Sequence, residues 1–119
     1  GTFQQVSGMT FAIDVTVPSS VVVDEQGMFI EVAGEYRVKN VKIQGEDIEL
    51  EKIYTLASHD YLLKELGGGA TMFTGCNMVL DSIMLDNQAL ITYITEYLDG
   101  VIGEEYSDPY GEGRITIIQ

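Results

Sequence analysis

Residue types that commonly perform chemistry are sparse in this chain and are scattered along it. The chain has one histidine, His59, and one cysteine, Cys76. A zinc site needs several His or Cys ligands, and a cysteine nucleophile needs a base, for which the sequence offers His59 alone. We therefore expect no catalytic residue, no metal site and no bound cofactor within this chain. His59 is expected to cap a helix or pack in a loop, and Cys76 to be a buried structural residue.

Acidic residues dominate the charge of the chain, with 19 Asp and Glu against 6 Lys and Arg and a net charge of -13. The clustered acids do not follow the ligand spacing of an EF-hand calcium loop, which favours solvated loops; they are Asp24, Glu25, Glu104, Glu105 and Asp108. A chain of this charge repels a polyanion, and no stripe of Lys or Arg offsets the repulsion. We therefore expect no nucleic-acid partner.

The segment ASHDYLLKELGGGATMF, residues 57–73, combines an aromatic residue, a short helical pattern and three consecutive glycines. Gly67, Gly68 and Gly69 match neither of the glycine patterns that bind phosphates, and they follow a helix C-terminus, which disfavours an anion. An uncharged ring or a sugar hydroxyl could approach the backbone there. Phe3 and Tyr61 are candidates for sandwiching a flat ring, at about 1–3 kcal/mol per stacked ring. Packing in the core is the alternative for both aromatic residues.

The elements that must position these residues are strands first, then helices, then a final strand. Alternating or apolar runs predict strands at 3–17, in a hairpin at 21–32, and at 37–43, 53–57 and 114–119. The run 53–57 carries no charge, which predicts a central strand. A short helix is predicted at 61–66 and a longer one from about residue 86 to Gly100. The longer helix has one apolar face, formed by Leu90, Ile91, Ile94, Tyr97 and Leu98.

This order of elements predicts an α+β fold, with a mixed, largely antiparallel sheet and a short and a longer helix packed on it. The 119 residues suit one domain, and no apolar run reaches the roughly 18 residues that span a membrane. We expect no membrane span. The chain begins within a strand-like segment, so we expect it to be a piece of a longer protein.

Five segments, in order along the chain, resemble the C-terminal domain of the 5′-nucleotidase / 2′,3′-cyclic phosphodiesterase / UDP-sugar hydrolase family. The segments cover nearly the whole chain and are GTFQQVSGMTFAID, YRVKNVKIQGEDIELEKIYTLASHDYLL, GGGATMF, ALITYI and EGRITI. The resemblance implies that residues 1–119 form a substrate-binding domain, truncated at its N-terminus. It also implies that the catalytic metallophosphoesterase domain, with two divalent metal ions, lies in a separate part of the protein.

In that family the C-terminal domain binds the nucleoside part of the substrate. Phe3 and Tyr61 match the two aromatic residues that stack on the base, and Gly67–Gly69 lie where the family has a Gly-Gly-Asp-Gly pattern. Gly69 falls at the acidic residue that contacts ribose. The resemblance thus implies that these five residues bind substrate.

The implied function is the nucleotide-binding portion of a two-domain, metal-dependent, 5′-nucleotidase-like hydrolase of phosphate esters. Its implied partners are a nucleotide or nucleoside and the separate N-terminal domain, and its implied location is extracellular, at the cell surface or periplasmic. The isolated chain is expected to be inactive. One alternative is a non-catalytic binding or interaction module that kept the fold and lost nucleotide binding. Another is an enzyme acting on a sugar nucleotide or a non-nucleotide ester.

Overall fold

Two sheets form the frame of the computed structural model, which describes residues 3–119. The strands are β1 (Met9–Asp14), β2 (Val21–Val23), β3 (Phe29–Val32), β4 (Val38–Ile43), β5 (Glu46–Asp47) and β6 (Ile115–Ile118). One sheet has the order β5-β4-β1-β6, and the other is the antiparallel pair β2-β3. Since β1 runs antiparallel to β4 and parallel to β6, the larger sheet is mixed.

Two α-helices accompany the sheets, α1 (Asp60–Leu63) and α2 (Asp86–Thr92). A π-helical turn, Tyr93–Tyr97, continues α2, and the Gly100 N–H donates to the Ile94 carbonyl at 2.8 Å where the helix ends. Short 3₁₀ turns occur at Gly67–Gly69, Thr71–Phe73 and Glu104–Tyr106. The predicted α+β fold, with a mixed sheet, a short helix and a longer one, is confirmed. No helix within residues 3–119 is long and apolar enough to cross a membrane.

Strand β1 occupies an inner position of the larger sheet because it pairs with β4 on one side and β6 on the other. Its Ala12 is buried, and the other buried apolar side chains of the described residues are Leu62 and Ala70. Leu62 belongs to α1, and Ala70 joins two of the 3₁₀ turns. Two of these three core positions therefore fall in the segment 57–73 that carries the aromatic and glycine pattern.

The predicted strand at 53–57 is wrong. Residues 53–59 lie outside the helices and strands of the structure, and Ile53 is 95% exposed. The reason is that both inner positions of the larger sheet are taken, by β1 and β4. A short apolar run forms a strand only where a neighbouring strand offers free backbone groups.

The apolar face predicted for the longer helix exists but is largely open to solvent. Leu90, Ile91 and Tyr97 are all at least half exposed. Helical spacing thus predicted which residues share a face, while it carried no information about what that face contacts.

A hydrogen bond joins two tyrosines in the C-terminal part of the chain. The phenol oxygens of Tyr93 and Tyr106 lie 2.9 Å apart in a hydrogen bond, and the ring of Tyr93 also stacks on that of Tyr97. The hydrogen bond to Tyr93 raises the pKa of Tyr106 to about 12, with desolvation and the nearby Glu105 and Glu112 acting in the same direction. The bond thus favours the neutral phenol of Tyr106.

Replacing Tyr93 by phenylalanine should lower the pKa of Tyr106 from about 12 towards its ordinary value of 10. A pKa raised in the folded state contributes stability that is present below the unfolded value and is lost as the pH rises through the folded one. The contribution is therefore present below pH 10 and disappears towards pH 12. Ultraviolet absorbance of tyrosinate during a pH titration measures the shift.

Tyr110→Phe is the matched control, because this ring is 94% exposed and takes no part in the hydrogen bond between Tyr93 and Tyr106. It should leave the highest tyrosinate step in place. A highest step that stays at about pH 12 in Tyr93→Phe would show that the phenol pair does not set the pKa of Tyr106.

Candidate functional site

A groove of about 500 Å³ lies between the β2–β3 hairpin and the segment 67–73. The hairpin forms one wall, through Val21, Val23, Gly27 and Phe29. The opposite wall consists of Gly67, Gly68, Gly69, Ala70, Met72 and Phe73, and the lining also includes Gln4 and Leu62. This volume falls within the range of pockets that bind small molecules.

The groove is uncharged although the chain carries a net charge of -13. Its lining contains no Asp, Glu, Lys, Arg or His side chain, and most of its exposed surface is apolar. Transfer of an ionised group into such a lining would lose hydration without a partner. The groove therefore suits a neutral, largely apolar part of a ligand, and a phosphate group would have to lie outside it.

A very close backbone approach holds the two walls together. Gly69 is buried with a φ of +85°, and a Cβ placed on it would overlap the Gly27 carbonyl oxygen and lie 3.3 Å from the Met28 Cα. The left-handed conformation and the missing space both demand glycine at this position. Gly69 is thus the point where the glycine segment meets the hairpin turn.

Two sets of hydrogen bonds support this approach. The Thr71 hydroxyl donates to the Phe29 carbonyl and so ties the second 3₁₀ turn to β3. In the hairpin turn, the Asp24 carboxylate accepts the N–H groups of Gln26 at 2.9 Å and Met28 at 2.8 Å. These bonds fix the loop that carries the Gly27 carbonyl, and therefore the shape of the groove wall.

Tyr61 lies beside the groove rather than in its lining. Its ring rests against Gly67, because a Cβ on Gly67 would overlap the ring carbons of Tyr61. The ring of His59 stacks on that of Tyr61 with centroids 6.0 Å apart. Since Gly67 touches the ring and also lines the groove, Tyr61 stands at the edge of the groove.

His59 occupies the N-cap position of α1, but its side chain makes no capping hydrogen bond. The helix instead begins with Asp60, whose carboxylate accepts the Tyr61 N–H at 2.9 Å. Of the two roles expected for His59, side-chain capping is therefore wrong. Packing is the observed role, through the stack on Tyr61.

Phe3 precedes Gln4, which lines the groove, and its own side chain is 63% exposed. Tyr61 is 53% exposed. Packing in the core is therefore the wrong alternative for both rings. The ring of Tyr61 contacts that of His59. Among residues 3–119, Phe3 takes part in no ring contact. The structure thus brings Tyr61 and the glycines together, and the rings of Phe3 and Tyr61 do not contact each other.

Cys76 is exposed, so its expected burial is wrong. It lies just beyond the Thr71–Phe73 turn, where its N–H donates to the Phe73 carbonyl at 3.2 Å. No group of three or more His, Cys, Asp or Glu side chains within residues 3–119 is arranged to hold a metal ion.

The sequence did not predict that the β2–β3 hairpin forms one wall of the groove. It predicted the hairpin and its turn, but no local pattern indicates that Gly27 and Phe29 meet residues 69–71. The partners Thr71 and Phe29 are 42 positions apart in the chain. The one available signal was the run of three glycines, which allows another backbone to approach closely.

The family model for the 5′-nucleotidase C-terminal domain matches residues 1–75. Gly1 and Thr2, which open this segment, lie outside the described residues. No curated protein and no solved structure matches the chain significantly. The groove lining runs from Gln4 to Phe73 and thus lies wholly inside the matched segment.

Replacing Gly69 by alanine should destabilise the fold more than the same change at Gly75. Both glycines have a φ above +80°, so each alanine pays the left-handed cost of about 1–2 kcal/mol. Nothing lies within 4 Å of a Cβ on Gly75, whereas a Cβ on Gly69 meets the Gly27 carbonyl. We expect an additional loss of about 1–3 kcal/mol for Gly69→Ala, measured by urea denaturation. Equal losses would show that the close approach to Gly27 does not hold.

Replacing Thr71 by valine should weaken the contact between the 3₁₀ turn and the hairpin. The variant loses the hydroxyl donor to the Phe29 carbonyl, which contributes about 0.5–1.5 kcal/mol of stability. Urea denaturation measures the loss, and the amide resonance of Ile30 reports on the peptide group that contains this carbonyl. Thr71→Ser keeps the hydroxyl and is the control. A valine variant that is as stable as the serine variant would show that the bond from the hydroxyl to the Phe29 carbonyl does not contribute to stability.

Proposed function

We propose that this chain, which belongs to the 5′-nucleotidase C-terminal domain family, binds the nucleoside part of a phosphate ester in the groove beside Gly67–Gly69. One observation carries the proposal: the uncharged groove of about 500 Å³ lies entirely within the segment that matches the family. A nucleobase is flat, neutral and largely apolar on its faces. Those properties suit a lining of valine, phenylalanine, methionine and backbone glycine.

Tyr61 and Phe3 are the rings that we propose to stack on the base. Their exposure leaves ring surface available to a ligand, as stacking requires. Gly67 supports this role for Tyr61, since it lets the ring lie against the backbone at the edge of the groove. Phe3 directly precedes Gln4, a member of the lining, in the chain.

The chain supplies binding and orientation in this proposal, and the chemistry belongs to a separate N-terminal domain. The family resemblance implies two divalent metal ions for that domain. The described residues do not fit such ions, because no suitable ligand cluster occurs within residues 3–119. We therefore propose that residues 1–119 form the substrate-binding part of a 5′-nucleotidase-like hydrolase located extracellularly, at the cell surface or in the periplasm. Alone, this part is inactive.

A second candidate function is a binding or interaction module that kept the fold without the nucleotide. The observation that favours it is Gly69, where the close approach of Gly27 leaves no room for an acidic side chain. A site with fewer polar contacts to its ligand binds it with less affinity. The same feature fits an enzyme that acts on a sugar nucleotide or on a non-nucleotide ester.

Tyr61→Ala, introduced into the hydrolase that contains this chain, should lower kcat/KM for AMP. Loss of one stacked ring costs about 1–3 kcal/mol, which corresponds to a fall of roughly 5- to 150-fold. The efficiency for a phosphate ester without a ring, glycerol 3-phosphate, should stay unchanged because it has no ring to stack. Initial rates over a range of substrate concentrations measure both effects.

Tyr97→Ala is the matched control for this variant. Tyr97 also stacks on a neighbouring ring, with centroids 5.9 Å apart, but lies outside the groove and the family segment. It should leave kcat/KM for AMP as it is. An unchanged efficiency in Tyr61→Ala would remove Tyr61 from the site. A parent enzyme without preference for AMP over glycerol 3-phosphate would support the second candidate function.

A further inference from the structure

We propose that residues 78–91 form an interface with another part of the same polypeptide, and that this partner surface has apolar side chains bordered by Lys and Arg. The inference rests on the proposed function, which supplies the separate domain, and it assigns a contact surface that the groove does not provide. Residues 78–91 lie outside the groove lining and outside the segment 1–75 that matches the family.

The chain exposes more surface than a separate folded body of its size. Its accessible surface is 9818 Å², whereas a folded monomer of this length exposes roughly 6,400 Å². The excess of roughly 3,400 Å² is more than the ~1,000–2,500 Å² that each side contributes to a permanent protein interface. Among the described residues, the buried apolar side chains are only Ala12, Leu62 and Ala70. The molecule therefore has both the area and the need for a permanent partner.

Exposed apolar side chains are concentrated in residues 78–91. Every residue from Thr74 to Ile91 is exposed. Eight of them are large apolar residues, each between 50% and 73% exposed, and they are Met78, Val79, Leu80, Ile83, Met84, Leu85, Leu90 and Ile91. Consecutive apolar side chains that face solvent are unfavourable unless a partner covers them. These residues are therefore the part of the excess surface that most needs a partner.

An ion pair fixes these residues to the rest of the molecule. The Lys64 ammonium lies 2.8 Å from the Asp81 carboxylate, and the Ser82 hydroxyl donates to the same carboxylate at 2.8 Å. Lys64 directly follows α1, whose Leu62 is buried. Asp81 and Ser82 separate two apolar runs, residues 78–80 and 83–85. The ion pair thus holds the middle of the surface in place and leaves both apolar runs open to solvent.

The charge around residues 78–91 indicates the chemistry of the partner. Residues 74–113 contain eight acidic residues and no Lys or Arg, and the acids are Asp81, Asp86, Glu96, Asp99, Glu104, Glu105, Asp108 and Glu112. Lys and Arg on a partner surface are attracted to these carboxylates, whereas an acidic surface is repelled. The anionic surface of a lipid bilayer is disfavoured for the same reason. The partner surface is therefore apolar at its centre and basic at its border.

A second copy of this chain does not meet that requirement. All 6 of its Lys and Arg residues are engaged within the chain, with Lys39, Lys42, Lys52, Lys64 and Arg114 in ion pairs and Arg37 in a hydrogen bond to the Val17 carbonyl. Two copies would therefore bring together surfaces of the same negative sign. An open apolar surface promotes association, so its partner has to be present whenever the chain is. Another part of the same polypeptide meets both conditions.

Oxidation of methionine by hydrogen peroxide tests this contact in the whole hydrolase that contains this chain. Met78 and Met84 are 50% and 53% exposed, and Met72, which lines the groove, is also 53% exposed. Oxidation of a thioether depends on its access to solvent. Without nucleotide, we expect Met78 and Met84 to oxidise about tenfold more slowly than Met72, as measured by mass spectrometry of peptides. Equal rates at the three residues would overturn the inference.

The protection should not depend on protein concentration, because the partner surface belongs to the same polypeptide. Protection that disappears on dilution would assign residues 78–91 to a contact with a second copy and overturn the inference. A surface that serves a membrane would give equal rates in the absence of lipid, with the same consequence. The kinetics with AMP do not enter this measurement. Its failure therefore leaves the proposed function standing, and the proposed function fails only when the enzyme does not prefer AMP over glycerol 3-phosphate.

Ile83→Lys and Ile83→Asp test the basic character of the partner surface. Ile83 is 70% exposed, so neither change affects the buried side chains of this chain. A basic partner repels the lysine and attracts the aspartate. We expect Ile83→Lys to raise the oxidation rates of Met78 and Met84 to that of Met72, and Ile83→Asp to raise them less. A larger rise in Ile83→Asp than in Ile83→Lys would overturn the inference.

Ile53→Lys is the matched control, because Ile53 is 95% exposed and lies outside residues 78–91. It adds the same charge and should leave the oxidation rates of Met78 and Met84 as they are in the parent protein. A rise in this variant equal to that in Ile83→Lys would show that the protection does not arise from a contact at residues 78–91 and would overturn the inference.

Discussion

The contact between Gly69 and the Gly27 carbonyl is the constraint on which the groove depends. The β2–β3 hairpin forms its own sheet and does not pair with the larger one, so sheet hydrogen bonds do not place it beside the segment 67–73. The close backbone approach and the bond from Thr71 to Phe29 do so instead. The groove exists because a glycine in a left-handed conformation lets two loops meet without side chains between them.

The distribution of charge gives the groove its chemical character. The chain carries a net charge of -13, while the groove lining is neutral. An overall negative potential opposes the approach of a phosphate to this chain. A nucleotide can bind here only if its base enters the groove and its phosphate points towards a positive region elsewhere. This requirement agrees with the proposed division between a binding domain and a separate metal-bearing domain.

The sequence predicted those helices and strands whose patterns lie within a few consecutive residues. The turn Asp24–Gly27 flanked by valine-rich runs gave the hairpin, and the spacing of apolar residues gave α2. The prediction failed at 53–57 because an apolar run does not reveal whether other strands already occupy the inner positions of the sheet. It failed for Cys76 because residue type is a weak guide to burial in a chain with so small a core.

The site was predictable to a lesser degree than the fold. The glycines and Tyr61 stood out by type and spacing, but the wall formed by Val21, Val23 and Phe29 depends on contacts between distant parts of the chain. Such contacts leave no periodic pattern in the sequence. A run of glycines indicates that something approaches the backbone, and only the structure shows that one approaching group is the protein's own carbonyl.

Two glycines of the triplet serve different partners, and this couples the stability of the fold to the shape of the site. Gly67 gives the Tyr61 ring a flat backbone to rest on, and Gly69 gives the hairpin turn room to approach. Gly68 joins them with a φ of +67°. Under the proposed function, selectivity for a flat ligand would follow from how closely the backbone packs at Gly67 and Gly69.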